Sequence, residues 1–131
     1  YLNSIGVVPQ DRVALYMKNS VEFIVAIFAL SKIGAISVPI NTFLKSNEID
    51  YIIQNSDAKA IIVSDSFADT INESNIDKLC EHIIYTNSDA FDFVDNEEIK
   101  PYNVSLDDCA VIIYTSGTTG KPKGAMLSNN A

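Results

Sequence analysis

The chain has 131 residues, 47% of them hydrophobic and 20% charged, which is enough for one globular domain with a real core. A formal net charge of −8 argues against a general nucleic-acid binder, so any phosphate binding has to be local. Cys80 and Cys109 are the only cysteines and His82 the only histidine, which argues against a multi-His zinc site and a His-based triad within the chain.

In chain order, Arg12 to Met17 is a short apolar run after Pro9, Gln10 and Asp11, and reads as a strand. Asn19 is the expected N-cap of the next helix, with Glu22 three residues on as in a capping box. That helix is expected to reach Ile33 and stop at Gly34. It carries the longest apolar run, Phe23 to Leu30, far short of the roughly 20 residues a membrane span needs. Val21, Ile24, Val25 and Phe28 share one helical face, while Phe23, Ile27 and Leu30 fall on others.

Ala35 to Ile40 reads as a second strand, closed by Pro39. Ser46 is the expected cap of a helix through Asn55, with Ile49, Ile52 and Ile53 on one face. Ala60 to Val63 is apolar throughout and β-branched from Ile61 on, as in a buried parallel strand. Short helices are expected over Ser66–Asn72 and Asn75–Glu81, then a strand over His82–Thr86. Asn87 to Asp108, rich in Asp, Glu and Asn, reads as a solvent-facing loop. Cys109 to Thr115 is a fifth strand and Ala125 to Ser128 the start of a sixth. Strands alternating with helices predict an α/β fold, a mainly parallel sheet flanked by helices. Two cysteines, no CxxC and no signal peptide suit a reducing, cytoplasmic setting.

The fifth strand runs into YTSGTTGKPKG, Tyr114 to Gly124. Three of the five glycines and two of the nine basic residues lie there. Glycines let successive backbone N–H groups approach an anion closely. Thr115, Ser116, Thr118 and Thr119 add hydroxyl donors, Lys121 and Lys123 add positive charge, and Pro122 stiffens the second half. The spacing fits neither G-x-x-x-x-G-K-[ST] nor G-x-G-x-x-G, so this is neither a Walker A loop nor a dinucleotide fingerprint. From the residues alone, a hairpin whose glycines merely permit a turn stays open beside a phosphate loop.

The whole string resembles the signature phosphate loop of the AMP-forming adenylating enzymes, a superfamily of acyl-CoA synthetases, peptide-synthetase adenylation domains and firefly-type luciferases. The flanks are similar too: Gly6 to Asn41 looks like the family's N-terminal βαβ unit, and Ser46 to Asp65 like the αβ unit that follows. The stretch VPINTFLKSNEIDYII is most similar to fatty acyl-CoA synthetases, with an aryl- or short-chain-acyl ligase as the alternative. The resemblance is weakest from Phe67 to Leu106.

The resemblance implies a two-step reaction. A carboxylate attacks the α-phosphate of ATP to give acyl-AMP and pyrophosphate, and the coenzyme A thiol then displaces AMP. It implies that Ser116, Gly117, Thr118, Thr119 and Gly120 wrap the β- and γ-phosphates, with Thr118 near the magnesium ion (Mg2+). Thr115 would orient the loop, and Lys123 would neutralise charge on the leaving pyrophosphate as the catalytic cation; Lys121 would only support. Residues 1–131 are then expected to be an incomplete N-terminal AMP-binding domain of a longer parent, inactive alone, its exposed apolar surface favouring homo-oligomers. Peripheral membrane association of the parent is left open. A stand-alone phosphate-binding module without catalysis is the competing expectation.

Overall fold

The computed structural model describes residues 1–91, 98–115 and 120–131. Six strands form one sheet: β1 (Arg12–Tyr16), β2 (Ile36–Pro39), β3 (Ala58–Val63), β4 (His82–Tyr85), β5 (Cys109–Thr115) and β6 (Lys123–Ser128). Their spatial order is β4-β3-β1-β2-β5-β6. The first five run parallel, and β6 returns antiparallel along the edge of β5. This is the α/β architecture expected from the alternating pattern.

Helix α1 (Val21–Ile33) links β1 to β2, and α2 (Ser46–Ser56) links β2 to β3. They lie on opposite faces because strand side chains alternate. Val13, Leu15, Ala60 and Ile62 pack with Ala26, Leu30 and Ile33 of α1. Ala14, Tyr16, Ile61 and Val63 pack with Ile49, Ile52 and Ile53 of α2. The short helices α3 (Ala68–Asn72) and α4 (Ile76–Leu79) join the α2 side through Ile71 and Ile76. β1 and β3 are thus covered on both faces, which is why they read as continuous apolar runs.

The caps differ from expectation in detail. Ser20, not Asn19, caps α1: its hydroxyl accepts from the Phe23 N–H at 3.2 Å, so the reach of one side chain decides between two adjacent capping residues. Gly34 ends that helix as expected, at φ 74 in the left-handed region. Ser46 is the first residue of α2 rather than its cap; Lys45 takes the cap position, and its backbone N–H donates to the Glu48 carboxylate at 2.9 Å. The other end of α2 is tied to β1 by Arg12, whose guanidinium donates to the Ser56 carbonyl at 2.8 Å and to Asp57.

Most of the apolar face of α1 marked out by its periodicity is turned to solvent: Val21, Ile24 and Phe28 are exposed and Val25 is half-buried, while the buried positions are Ala26, Leu30 and Ile33. No helix among the described residues is long and apolar enough to cross a membrane. His82 is half-buried at the start of β4, beside Glu81.

Candidate functional site

The signature string is the β5–β6 hairpin. β5 delivers it to the carboxyl end of the parallel sheet, the end at which open α/β sheets bind ligands. β6 begins at Lys123, earlier than the expected Ala125, so the loop is closed by a direct Thr115–Lys123 pair. Ser116, Gly117, Thr118 and Thr119, the expected phosphate-wrapping residues, lie outside the described residues. Thr115, Gly120, Lys121 and Lys123 are described, and all four are exposed.

Pairing and alternation sort the stems onto two sides of the sheet. Ile112 and Tyr114 pack with the core cluster on the α2 side. Thr115, paired with Lys123, therefore falls on the α1 side with Ile113. Lys121, two residues before Lys123, instead sits over the Tyr51 ring of α2, 5.4 Å from its centroid and within cation–π range. Among the described residues nothing hydrogen-bonds or ion-pairs with the Lys123 side chain. The two lysines thus occupy different surroundings, one held on an aromatic ring and one exposed beside Thr115.

Tyr114 explains both ends of the string. Its partner across the hairpin is Gly124. A Cβ on Gly124 would lie 2.8 Å from Ile112 Cγ2 and 3.0 Å from Tyr114 Cζ, so only glycine lets the tyrosine ring lie across the opposite strand. The Tyr114 hydroxyl then reaches α2 and donates to Asn55 Oδ1 at 2.7 Å. Burial, and after it the neighbouring Tyr51, push the Tyr114 pKa up, against a hydrogen bond with Ser56 that lowers it. The phenol therefore stays a protonated donor at neutral pH. Gly120 has φ +99, and a Cβ there would meet nothing within 4 Å, so its backbone turns in open space.

An open groove of about 610 Å³ flanks the hairpin at the same end of the sheet, its walls including Lys18, Asn19, Phe23, Thr42, Phe43 and Ile113. An exposed hydroxyl, a left-handed glycine with room around it and an exposed ammonium suit a polyphosphate. Among the described residues no cluster of His, Cys, Asp and Glu is placed to hold a metal ion. Sequence reasoning passed over Tyr51 and Asn55: their spacing of four marks one face of a helix, but nothing in the string links that face to the hairpin.

The family model described as "AMP-binding enzyme" matches residues 1–131. This chain belongs to the AMP-binding enzyme family. Among similar AMP-binding enzymes, 2-succinylbenzoate–CoA ligase of Geobacillus sp. (strain WCH70) is 42% identical over 125 residues, 95% of this chain and 24% of that protein. A crotonobetaine/carnitine–CoA ligase of Citrobacter koseri is 37% identical over 138 residues, 95% of this chain and 27% of that one. Among solved structures, the N-terminal domain of FACL13 from Mycobacterium tuberculosis superimposes with a TM-score of 0.87 at 34% identity, over 98% of this chain and 33% of that one. The anthranilate–CoA ligase AuaEII gives a TM-score of 0.88 at 30% identity, over 98% of this chain and 26% of that one. The chain spans about a quarter of the length of the curated AMP-binding relatives it matches. Several of these relatives are CoA ligases.

Proposed function

We propose that this chain supplies the triphosphate-gripping hairpin of an ATP-dependent acid–thiol ligase, which joins a carboxylate to AMP and passes the acyl group to coenzyme A. The observation that carries this reading is the hairpin itself: the family's signature string leaves the carboxyl end of β5 with Lys123, unpaired among the described residues, beside the strand-end Thr115. Lys123 holds a positive charge where pyrophosphate would depart, and Thr115 sets the direction of the loop from a fixed strand. The backbone at Gly120 offers the open turn that lets N–H groups face an anion. Magnesium bound with the nucleotide supplies further neutralisation of the phosphate charge. The protein's contribution to this step is positioning and preorganised charge, the main sources of catalysis in phosphoryl and nucleotidyl transfer.

Fatty acids are the substrate class suggested by the stretch around Val38 to Ile53, and a Mycobacterium tuberculosis fatty acyl CoA synthetase is among the similar structures, with a TM-score of 0.84. A second reading, an aromatic carboxylate, is favoured by the 42% identity to a 2-succinylbenzoate–CoA ligase. Expression of the longest open reading frame that contains this chain tests both. Pyrophosphate release is followed with ATP, magnesium and, in turn, octanoate, palmitate, 2-succinylbenzoate and ferulate, and thioester formation after adding coenzyme A. Release that depends on a fatty acid supports the first reading, and release only with an aromatic acid supports the second. No carboxylate-dependent release with any acid overturns the ligase assignment. The 131-residue chain by itself is expected to give no such release.

A further inference from the structure

We propose that helix α2 clasps the signature hairpin: Tyr51 and Asn55, one helical turn apart, hold Lys121, just before the second stem, and Tyr114, on the first, and so fix the direction in which Lys123 is presented. Tyr51 and Asn55 are thus positioning residues of the loop, and the proposal rests on the reading of that loop as a polyphosphate grip.

Residues four apart on a helix are neighbours on one face, so one short patch of α2 meets both stems. The first stem is fixed through Tyr114, whose ring lies across Gly124 and whose hydroxyl donates to Asn55 at 2.7 Å. The approach to the second is held through Lys121 on the Tyr51 ring at 5.4 Å, two residues before β6 begins. The patch belongs to a rigid platform. Ile49, Ile52 and Ile53 of α2 are fully buried beneath it. Arg12 ties down the carboxyl end of the helix, and the Asp50 carboxylate accepts from the Asn75 backbone N–H at 3.0 Å.

Lys121 and Lys123 flank Pro122, whose fixed φ limits how far one can move independently of the other. Holding Lys121 toward α2 leaves Lys123 facing the other side with Thr115. The unequal environments of two lysines in one basic stretch then have a physical origin: one cation anchors the loop and the other is left for the ligand.

The test uses the 131-residue chain labelled with 15N, and inorganic tripolyphosphate as the probe. Relaxation of the Gly120 and Gly124 amides reports loop order without ligand, and a tripolyphosphate titration reports binding. Tyr51→Leu and Lys121→Met are expected to raise fast motion at Gly120 and to weaken tripolyphosphate about two- to fivefold, the scale of an exposed cation–π contact. Tyr51→Phe and Lys121→Arg keep a ring and a cation, and are expected to match the wild type in both measurements. A merely structural role for Tyr51 would not produce this dependence on ring and charge.

Unchanged Gly120 relaxation in Tyr51→Leu and Lys121→Met, or a Tyr51→Phe variant as loose as Tyr51→Leu, overturns the clasp. Should Tyr51→Leu lose the dispersed amide signals of β1 and β3, Lys121→Met, altered only at an exposed side chain, decides the matter. Loop order that follows ring and charge in a chain deaf to tripolyphosphate sinks the polyphosphate reading and leaves the clasp standing.

Discussion

The sheet has two regions built on different terms. In the body, β1 and β3 lie between two layers of helix, and Val13, Ala14, Leu15, Ala60, Ile61 and Val63 are wholly buried. Among the described residues of the β5–β6 hairpin, Ile112 is the one buried hydrophobic side chain, and Met126, Leu127 and Ile113 are exposed. The body's residues are therefore constrained by packing, whereas most of the hairpin's are not. Where burial does not dictate a residue, its chemistry is free to serve a ligand. The exceptions are instructive: Ile112, Tyr114 and Gly124 are among the hairpin positions tied into the α2 side, as Lys121 is through Tyr51, and they fasten the loop to the body.

The largest effect is expected where the body is densest. Ile61→Ala should cost about 2–5 kcal/mol by lost burial and the cavity left behind. Urea denaturation of the 131-residue chain measures it, and a loss below about 1 kcal/mol would mean that the body relaxes as readily as the hairpin.

Next comes the hairpin's own contrast. In the longest open reading frame that carries this chain, Lys123→Ala should lower the adenylation rate about a hundredfold, the scale of losing one preorganised donor. Lys121→Ala should cost only about two- to fivefold, because its charge acts on Tyr51 rather than on the nucleotide. Pyrophosphate release measures both, and equal losses would erase the distinction between anchor and ligand-facing cation.

The body was more legible in the sequence than the hairpin's surroundings. Ala60 to Val63 announced a buried parallel strand because β-branched residues with no polar alternation suit only that environment. Gly34 announced the end of α1 because its left-handed turn suits glycine. The cap of α1 slipped by one residue, since Asn19 and Ser20 are both good caps and only geometry selects the hydroxyl that meets Phe23 N–H. The exposed stripe of Val21, Ile24 and Phe28 was visible as a face, but periodicity does not say which of several apolar faces meets the sheet. At the site, glycines, hydroxyls and lysines could be read as a phosphate loop from their types. The placement of Lys121 against Tyr51 could not, because it joins distant parts of the chain and leaves no periodic trace.

A smaller effect sharpens the comparison at the border between the regions. Gly34 has φ 74, and a Cβ there would lie 2.3 Å from Tyr102 Cδ1 in the segment leading to β5. Gly34→Ala should cost about 1–2 kcal/mol for the left-handed backbone, with a further loss as the Tyr102 ring is displaced. The Tyr102 backbone N–H still donates to the Lys32 carbonyl at 2.8 Å, so the segment is expected to stay docked while its ring swings out. In a Tyr102→Ala background the cost of Gly34→Ala should fall to the backbone part alone. A double-mutant cycle by urea denaturation checks this, and strict additivity would show that ring and glycine do not touch in solution.

The smallest contrast is between the two thiols. Cys80, just before β4 in the body, is pushed up to about 11, chiefly by burial, with its thiol donating to the His82 carbonyl at 3.5 Å. Cys109 opens the hairpin, and burial raises its thiol as well. Each unit of pKa removes about tenfold of the reactive thiolate, so at pH 8 iodoacetamide should modify Cys80 more slowly than an ordinary exposed thiol. Peptide mass spectrometry with a model thiol as the reference reads the rate at each cysteine. The same shift carries a sign for stability. A thiol held protonated when folded and ionised when unfolded makes the unfolded chain the weaker proton binder, so stability falls as pH rises. The loss should begin near the ordinary thiol pKa of 9 and level off near 11, and Cys80→Ala should flatten the slope in that window. Should Cys80 instead react as fast as the reference thiol in the native protein, the body near β4 opens as freely as the hairpin, and the division between a packed half and a presented half would not extend to that edge of the sheet.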